Sequence, residues 1–339
     1  MALTDRRADI LARLVDEYID TAVPVSSRAL VDRHRLGLST ATIRNELAAL
    51  EQDGYVTHPH TSAGRVPSDR GYRLYVQTLM TEEAVPQTER RTVEHQFHQA
   101  SGGLDEWLSL AATVLAGWVG NAAIVTRPRA RITRLKHVQL VQLHEDTALV
   151  VAVMDDGRVQ QRILSLHGLL TQRELSASAE RLNARLSGRD AEVARAVGQE
   201  LTSANDRLAA LIVAELIESH HATEGPYLDG VQVVLEQPEF ASPERMLEAV
   251  RHLVAYELDR VVSVAADVEP GGTKVMIGSE NSDPWLQEWS IVISSYGGRG
   301  GLAGTVAVLG PMRMHYARTI PRVRYLSALI DNLMRELVS

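Results

Sequence analysis

The sequence contains no cysteine, almost no lysine and no long apolar run, and these absences exclude several classes of protein. Without cysteine there is no disulfide bond, no thiolate nucleophile and no cysteine-ligated metal site. No apolar stretch approaches the roughly 18 to 20 residues that a membrane-spanning helix needs. The start, Met1 to Arg7, is polar and lacks the apolar segment of a signal peptide. We therefore expect a cytoplasmic protein with no membrane partner.

The length predicts several domains, and the net charge is compatible with a local basic surface. The 339 residues are too many for one ordinary core, so two or three domains are predicted. The net charge of −8 argues weakly against a nucleic-acid partner. DNA recognition, however, needs only a local basic surface. The acidic pairs Glu82–Glu83 and Asp155–Asp156 lie outside the N-terminal segment that carries the recognition pattern.

The first eighty residues show the pattern of three short helices. Apolar residues between Asp5 and Asp20 repeat at helical spacing, and Pro24 ends that helix. Ser26 is a good N-cap for a second helix, which Gly37 breaks. Ser39 or Thr40 can cap a third helix that runs to about Gln52 and turns Ile43, Leu47 and Leu50 inward.

The outward face of the third helix carries short polar residues and an arginine at its start. Two helices joined by a tight glycine turn form a helix-turn-helix, in which the start of the second helix meets the base edges of DNA. Arg44 suits guanine and Asn45 suits adenine, because both side chains can form paired hydrogen bonds in the major groove. The segment is therefore predicted to bind DNA.

A hairpin with the position and length of a wing follows the third helix. Tyr55 to Thr57 is strand-like, and the loop from His58 to Ser68 is tipped by Ser62-Ala63-Gly64, with Arg65 at the tip and hydroxyl side chains on either side. Arginine and hydroxyl side chains there can hold phosphates. The residues predicted to contact DNA are Ser39, Thr40, Thr42, Arg44, Asn45, His60, Thr61, Ser62, Gly64, Arg65, Ser68 and Arg70.

Two other interpretations of this segment remain open on pattern alone. It could be a small three-helix interaction domain without DNA, because amphipathic helix triplets are common. His58 and His60 could be simple loop residues. A zinc site is not predicted from them, because there is no cysteine and no helix-spaced histidine pair nearby.

The rest of the chain predicts an α+β domain interrupted by helices. A linker is expected from 81 to 103. Helices are expected at 104–119, across 169–221, at 243–256 and at 323–337, and strands at 138–143, 147–154, 159–166, 231–235, 261–265, 273–277, 289–295 and 304–309.

No motif predicts an enzyme or a cofactor. The glycines of Gly298–Ala303 match a dinucleotide fingerprint formally, but they lie between two strand-like runs, which favours a hairpin loop. His220 and His221 are adjacent and point about 100° apart on a helix, so they do not share a metal readily. Asp155-Asp156-Gly157 is typical of a turn.

Longer motifs resemble the heat-shock repressor family HrcA. They cover nearly the whole chain and are Thr42–Leu47, Leu50-Glu51, Gly54-Tyr55, Pro59–Pro67, Gly71–Val76, Ile277–Asn281, Ser295–Gly297, Gly304–Val306 and Gly310–Met314. Thr40, Leu47 and Ser68 depart slightly from the usual family residues without changing the chemistry.

The resemblance implies a winged helix-turn-helix followed by a GAF-like domain that carries an inserted dimerisation domain. The expected borders are 1–80 for the winged helix-turn-helix, 81–103 for a linker, 104–168 and 229–339 for the two GAF-like parts, and 169–228 for the insert. It also implies a homodimer that represses chaperonin operons at the CIRCE inverted repeat, with the GroE chaperonin maintaining its activity. A GAF-like domain keeps a ligand-responsive regulator open as the alternative.

Overall fold

The computed structural model describes residues 3–34, 37–59, 64–100, 103–130, 133–218, 225–255, 268–269, 271–297 and 302–338. The chain forms two compact units. The first unit comprises residues 1–128, 226–298 and 303–339, and the second comprises 129–225 with 299–302. Among the described helices, none is long and apolar enough to cross a membrane.

Twelve helices and eleven strands are labelled here in chain order across the described residues. They are α1 (Asp5–Thr21), α2 (Ser27–His34), α3 (Thr40–Gln52), β1 (Val56–Thr57), β2 (Val66–Pro67), α4 (Asp69–Leu74), α5 (Gln87–Gln99), α6 (Leu104–Val119), β3 (Ala122–Val125), β4 (Arg129–Ala130), β5 (Leu135–His144), β6 (Thr147–Met154), β7 (Val159–Ser165), α7 (Gln172–Leu186), α8 (Ala191–Glu200), α9 (Ala204–Glu218), β8 (Tyr227–Asp229), α10 (Val231–Leu235), α11 (Pro243–Ala255), β9 (Thr273–Ile277), β10 (Trp289–Gly297), β11 (Leu302–Pro311) and α12 (Tyr316–Val338). A π-helical turn, Tyr75–Leu79, extends α4, and short 3₁₀ turns lie at Pro238–Phe240, Gly278–Glu280 and Pro284–Glu288.

The N-terminal module (residues 3–80) contains the three predicted helices and the predicted strand β1, and a second strand, β2, lies within the segment that was expected to be a loop. The side chain of Thr4 caps α1, and Ala22 ends it in a left-handed conformation with φ of 53°. One face of α1 is fully buried, as its apolar spacing predicts; it presents Ile10, Leu11, Leu14, Val15 and Ile19. Strands β1 and β2 pair antiparallel through Val56↔Pro67 and Thr57↔Val66.

The rest of the first unit is a sheet with helices on both faces, and it is called the mixed layer here. Its main strands lie in the order β8-β3-β11-β10-β9, and each neighbouring pair is antiparallel. Alternate residues of β10 point to opposite faces, so Val292 packs in a core with α6 and α12. Ile291 and Ile293 pack on the other face with residues of α10 and α11. Helices therefore cover both faces of this sheet.

Three predictions in the first unit need correction or comment. The predicted linker at 81–103 contains helix α5, whose Val93 and Phe97 are buried. The run Val231–Leu235 was expected as a strand and is a helix, because a single turn places Val234 in the core while Val233 stays 42% exposed. The strand expected at 261–265 lies outside the described residues.

The second unit has a core of its own. Strands β5, β6 and β7 form an antiparallel sheet, and helices α7 and α9 pack on one face of it. Alternate residues of β6, among them Ala148 and Val150, share that core with Leu182 and Val213. The inserted domain was expected at 169–228 and the strands before it in the GAF-like domain. The strands instead belong to the inserted unit, which begins at Arg129, because their buried face packs on its helices.

The structure also assigns the glycine and aspartate motifs. Strands β10 and β11 pair antiparallel up to Gly297↔Ala303, whereas the glycines of 298–301 lie outside the described residues. Asp155 to Gly157 form the turn between β6 and β7, with Gly157 at a φ of 86°. His220 and His221 lie outside the described residues.

The N-terminal module and the mixed layer share one continuous core within the first unit. Helix α4 provides most of the polar contacts: Asp69 Oδ2 accepts from the backbone N–H of Ser279 at 2.8 Å, and Arg73 Nε donates to Glu280 at 2.5 Å. The rings of Tyr72 and Tyr316 lie 6.1 Å apart. The position of the module on the sheet is therefore fixed by packing and by hydrogen bonds together.

Candidate nucleic-acid interface

The N-terminal end of helix α3 is set by a side-chain cap. Ser39 has extended backbone angles, and its Oγ accepts from the N–H of Thr42 at 3.1 Å. The hydroxyls of Ser39 and Thr42 are also 2.9 Å apart. The sequence left Ser39 or Thr40 as the cap, and the structure selects Ser39. Both Ser39 and Thr42 therefore already have partners within the helix end.

Two predicted base-contacting residues project from this helix with no internal partner. Ile43, Leu47 and Leu50 are fully buried on the opposite face. Arg44 and Asn45 are exposed, and neither side chain forms a hydrogen bond or an ion pair with any described residue. Thr40 is half-buried at the same end. An uncommitted guanidinium and amide on an exposed helix start can form paired hydrogen bonds with an external ligand.

The other polar face of α3 holds α1 in place. Glu46 accepts from Arg7 Nε at 2.9 Å and lies 3.5 Å from Arg6. Arg7 also lies 3.5 Å from Asp53. These carboxylates neutralise the two arginines, whereas Arg44 has no carboxylate partner among the described residues.

The hairpin is anchored at Arg65, just before β2, to Val25, which lies two residues before α2. Val25 exchanges two backbone hydrogen bonds with Arg65, at 2.8 and 2.9 Å. A Cβ on Gly64 would lie 2.5 Å from the carbonyl oxygen of Pro24, so only glycine permits this close approach of the two backbones. Packing within the module therefore requires glycine at position 64, independently of any contact with DNA.

Arg65 is not at an exposed tip, where the sequence pattern placed it. Its side chain is only 14% exposed, and its Nη2 donates to Glu51 Oε2 at 3.2 Å. His58 Nδ1 lies 2.5 Å from the other oxygen of the same carboxylate. These hydrogen bonds and charges, the one to His58 foremost, hold the pKa of Glu51 below its usual value. Glu51 therefore ties α3 to both sides of the hairpin.

Ser68 and Arg70 also have internal partners. Ser68 caps α4 by accepting from the N–H of Gly71 at 3.1 Å, and it donates to the carbonyl of Gly54 at 2.7 Å. Arg70 donates to the carbonyl of Asp53 at 2.8 Å and lies over the ring of Tyr55 at 4.5 Å. Both residues brace the end of α3 against α4.

The remaining predicted contacts, His60, Thr61 and Ser62, lie outside the described residues. The sequence pattern missed the positioning residues Glu51 and His58. Their signal was present: Glu51 lies on the last turn of α3 just before a loop with two basic residues, a spacing that lets one carboxylate bind both. Across the described ranges, no group of three or more metal-binding side chains occurs.

Comparisons with known proteins identify the chain. The family model of the HrcA protein C-terminal domain matches residues 105–320. The heat-inducible transcription repressor HrcA of Roseiflexus castenholzii is 42% identical over 99% of this chain and 95% of its own length. The HrcA repressors of Chloroflexus aurantiacus and Dehalococcoides mccartyi are 38% and 35% identical, each over 99% of this chain and over 95% and 97% of their own lengths.

A solved structure shares the fold. A crystal structure described as that of a hypothetical protein matches with a TM-score of 0.60 at 23% identity, over 99% of each chain. The mixed α and β fold and these relatives define a transcription regulator, which is not an enzyme. The chain belongs to the HrcA family of heat-inducible transcription repressors.

Proposed function

We propose that residues 1–80 form a winged helix-turn-helix that recognises operator DNA through the start of α3. The observation that carries this proposal is the pair Arg44 and Asn45, exposed and without an internal partner on a helix whose other faces are committed. The hairpin of β1 and β2 forms the wing in this proposal. Its loop residues His60, Thr61 and Ser62 would contact the phosphate backbone of the DNA. Ser39, Thr42, Arg65, Ser68 and Arg70 act mainly by positioning.

The operator proposed for this chain is the CIRCE inverted repeat of chaperonin genes, which the family resemblance implies. A two-fold symmetric site requires two recognition helices related by two-fold symmetry, so the repressor acts as a homodimer. Operator binding also places the protein in the cytoplasm. The mixed layer of the first unit is the GAF-like domain of the same resemblance, and the second unit is its inserted dimerisation domain.

The open face of the sheet in the second unit supports self-association. Helices cover one face of β5, β6 and β7, and the other face carries apolar residues along its length. Val159 and Ile163 on β7 are 61% and 62% exposed, and Leu149 and Val153 of β6 are their cross-strand partners. A face of this kind is costly to leave in water. We expect a second copy of this chain to cover this face, because a two-fold symmetric operator requires a homodimer.

The dimer is tested by placing a charge on this face. Ile163→Arg is expected to convert the dimer to a monomer in analytical ultracentrifugation, because it buries an unpaired guanidinium in the interface. Ala177→Arg, on an exposed position of α7, is the matched control and should leave the dimer intact. A dimer that survives Ile163→Arg would move the interface elsewhere.

Recognition of DNA is tested by fluorescence anisotropy on a CIRCE duplex and a scrambled duplex across a salt series. Arg44→Ala is expected to weaken CIRCE binding by about 1–3 kcal/mol and to reduce the preference over the scrambled duplex. Arg173→Ala, an exposed arginine on α7, is the control and should bind as the unaltered protein does. Equal affinity and equal preference in Arg44→Ala would remove this residue from the interface.

The GroE chaperonin is the proposed partner that maintains activity. The sheet of the first unit supports this role, because β3 pairs with β11 across the whole inserted unit. Pairing segments so distant in sequence is slow and leaves apolar strands exposed meanwhile. Refolding from denaturant should therefore yield more CIRCE-binding protein with GroE and ATP than without them. Fast and complete refolding of the chain alone would contradict the partnership.

A further inference from the structure

The three-stranded sheet of the second unit has two edges, and the edge along β5 is covered by side-chain amides. The N–H of Val138 donates to Asn183 Oδ1 at 2.8 Å, and its carbonyl accepts from Asn183 Nδ2 at 2.7 Å. Gln172 accepts from the N–H of Gln142 at 2.7 Å and donates to the carbonyl of Leu140 at 2.9 Å. Both amides belong to α7, and they take the place of a neighbouring strand along these residues.

The opposite edge of the sheet is β7, and the hydrogen bonds at its two ends fix the direction of its backbone groups. Met154 donates to the carbonyl of Arg158, and Leu166 donates to the carbonyl of Asp146, each at 2.8 Å. Because the pairs of an antiparallel ladder alternate between bonded and non-bonded partners, the even residues of β7 bond to β6. The odd residues therefore point their N–H and C=O groups away from the sheet.

Over most of β7 these outward groups have no partner. At His167, just past the strand, Asn205 accepts from the N–H at 2.8 Å and donates to the carbonyl at 3.2 Å. The backbone groups of the odd residues before it have no hydrogen-bond partner among the described residues; these are Val159, Gln161, Ile163 and Ser165. Natural edge strands are protected by proline, lysine or a bulge, and β7 has none of these. Another strand can therefore pair with this edge.

The side chains beside the edge define the chemistry of the strand that fits it. On the open face, Val159 and Ile163 are 61% and 62% exposed. On the other face Leu164 is buried, and Arg162, the one charged residue of β7, is neutralised by Glu215 of α9. Apolar cross-strand pairs stabilise a sheet. A strand with apolar side chains on one face and polar side chains on the other matches this edge.

We propose that β7 binds an extended segment of another polypeptide, about as long as its own seven residues, as a fourth strand of the sheet. Main-chain hydrogen bonds hold the segment, and its apolar side chains continue the row that Val159 and Ile163 begin. A second β7 is a poorer occupant. Two β7 strands paired about a two-fold axis would place both open apolar faces on the same side of one sheet, with neither of them covered. Chains that have lost their fold expose segments of this kind.

The test uses a dye-labelled peptide of alternating valine and threonine, flanked by lysines for solubility, on the full-length protein without DNA. Fluorescence anisotropy should show saturable binding with a dissociation constant near or below about 100 μM. Hydrogen exchange should show the geometry of binding. The amides of Gln161 and Ile163 should exchange about tenfold more slowly with the peptide bound, whereas the amide of Arg162, which already bonds to β6, should change much less.

A substitution on the edge separates backbone pairing from other contacts. Gln161→Pro removes one outward N–H and leaves the hydrogen bonds to β6 in place, because an edge strand tolerates proline where its N–H faces solvent. It should weaken binding of the peptide by about tenfold. Gln161→Thr keeps the N–H, is the matched control and should bind the peptide as the unaltered protein does. The same peptide methylated on every backbone nitrogen should not bind the unaltered protein, which makes the test independent of how the variant folds.

Four results would overturn the proposal. They are no saturation by the peptide up to about 1 mM, equal binding of the methylated peptide, unchanged binding in Gln161→Pro, and protection of the outward amides in the protein alone that rises with protein concentration. The last result would identify a second copy as the occupant of the edge. Because none of these readouts uses an operator, a failure here is distinguishable from a failure of the proposed DNA recognition.

Discussion

Glu51 shows how one carboxylate can hold a helix and a hairpin together. It binds His58 on one side of the hairpin and the nearly buried Arg65 on the other, from the last turn of α3. The free energy of these contacts depends on the charge of the carboxylate. Its lowered pKa means that the folded state favours the ionised form.

This predicts a pH-dependent effect of Glu51→Gln. Since the folded pKa is lowered, the stabilisation by Glu51 is complete above the usual value of 4.5 and is lost as the pH falls through the folded value. We expect Glu51→Gln to lower the melting temperature by about 2 °C at pH 7. The difference from the unaltered protein should shrink below pH 4.5.

Glu180→Gln, an exposed carboxylate on α7, serves as the control for this experiment and should not change the melting temperature at either pH. A difference between Glu51→Gln and the unaltered protein that stays constant down to pH 3 would mean that packing, and not charge, accounts for the effect.

Gly71 is a second residue with a steric role. It is buried in α4, and a Cβ there would overlap the carbonyl oxygen of Tyr55. Gly71→Ala is expected to destabilise the protein by about 1–3 kcal/mol in urea unfolding. Gly117→Ala in α6 meets nothing within 4 Å and should stabilise by about 0.5–1 kcal/mol. Similar effects of the two substitutions would contradict this assignment.

At the level of elements, helix α12 uses an internal proline to bind another segment. Pro321 has no N–H to donate to the carbonyl of Ala317, four residues earlier. That carbonyl instead accepts from the N–H of Glu83 at 2.9 Å. The proline thus leaves an acceptor free on the helix surface, and the segment after the N-terminal module occupies it.

Pro321→Ala is predicted to loosen this attachment. The new N–H at 321 competes for the carbonyl of Ala317, so the amide of Glu83 should exchange with solvent about tenfold faster in hydrogen exchange. Amides of α6, which is not bound in this way, are the internal reference. Unchanged exchange at Glu83 would indicate that the carbonyl accepts both hydrogen bonds.

Elements with local signals were predictable, and those that depend on distant contacts were not. Leu104–Val119 is the helix that the apolar spacing predicts. Helix α3 is capped by Ser39, one of the two residues expected to cap it. The short run Val231–Leu235 is compatible with a strand or a helical turn, and only the core around Val234 decides. The start of the inserted unit at Arg129 depends on which helices cover β5–β7, and periodicity carries no such information.

The candidate interface was predictable in composition but not in role. Arg44 and Asn45 stand where the spacing of α3 predicts. The partners of Arg65 and Ser68 could not be derived, because each is bound by a residue more than ten positions away. A basic or hydroxyl residue in a loop is equally suited to bind phosphate or a neighbouring helix.

At the level of the whole molecule, the shared core of the first unit predicts that the N-terminal module does not unfold alone. Tyr316 of α12 is fully buried, contacts Tyr72 and donates to the carbonyl of Met312 at 2.6 Å. Tyr316→Ala should cost about 3–5 kcal/mol. Hydrogen exchange should show the same loss of protection in α3 as in β10.

Val233→Ala, at an exposed position of α10, is the control and should leave the protection of both elements unchanged. If Tyr316→Ala lowered protection in β10 but not in α3, the N-terminal module would unfold separately. The shared core would then not couple the stability of the module to that of the sheet.

The strands that flank the second unit are direct neighbours. The last residue of β3, Val125, is the register partner of Tyr227, the first residue of β8. Residues 129–225 therefore occupy the place of a hairpin loop in the sheet of the first unit. Because each doubling of loop length costs only about 0.6 kcal/mol, a whole gene segment could enter such a loop without disturbing the sheet. Conversely, a shortened gene that joins β3 to β8 by an Asn-Gly turn would lose β4 but keep β8, β3, β11, β10 and β9, and it would give a single-unit protein without the proposed dimerisation domain.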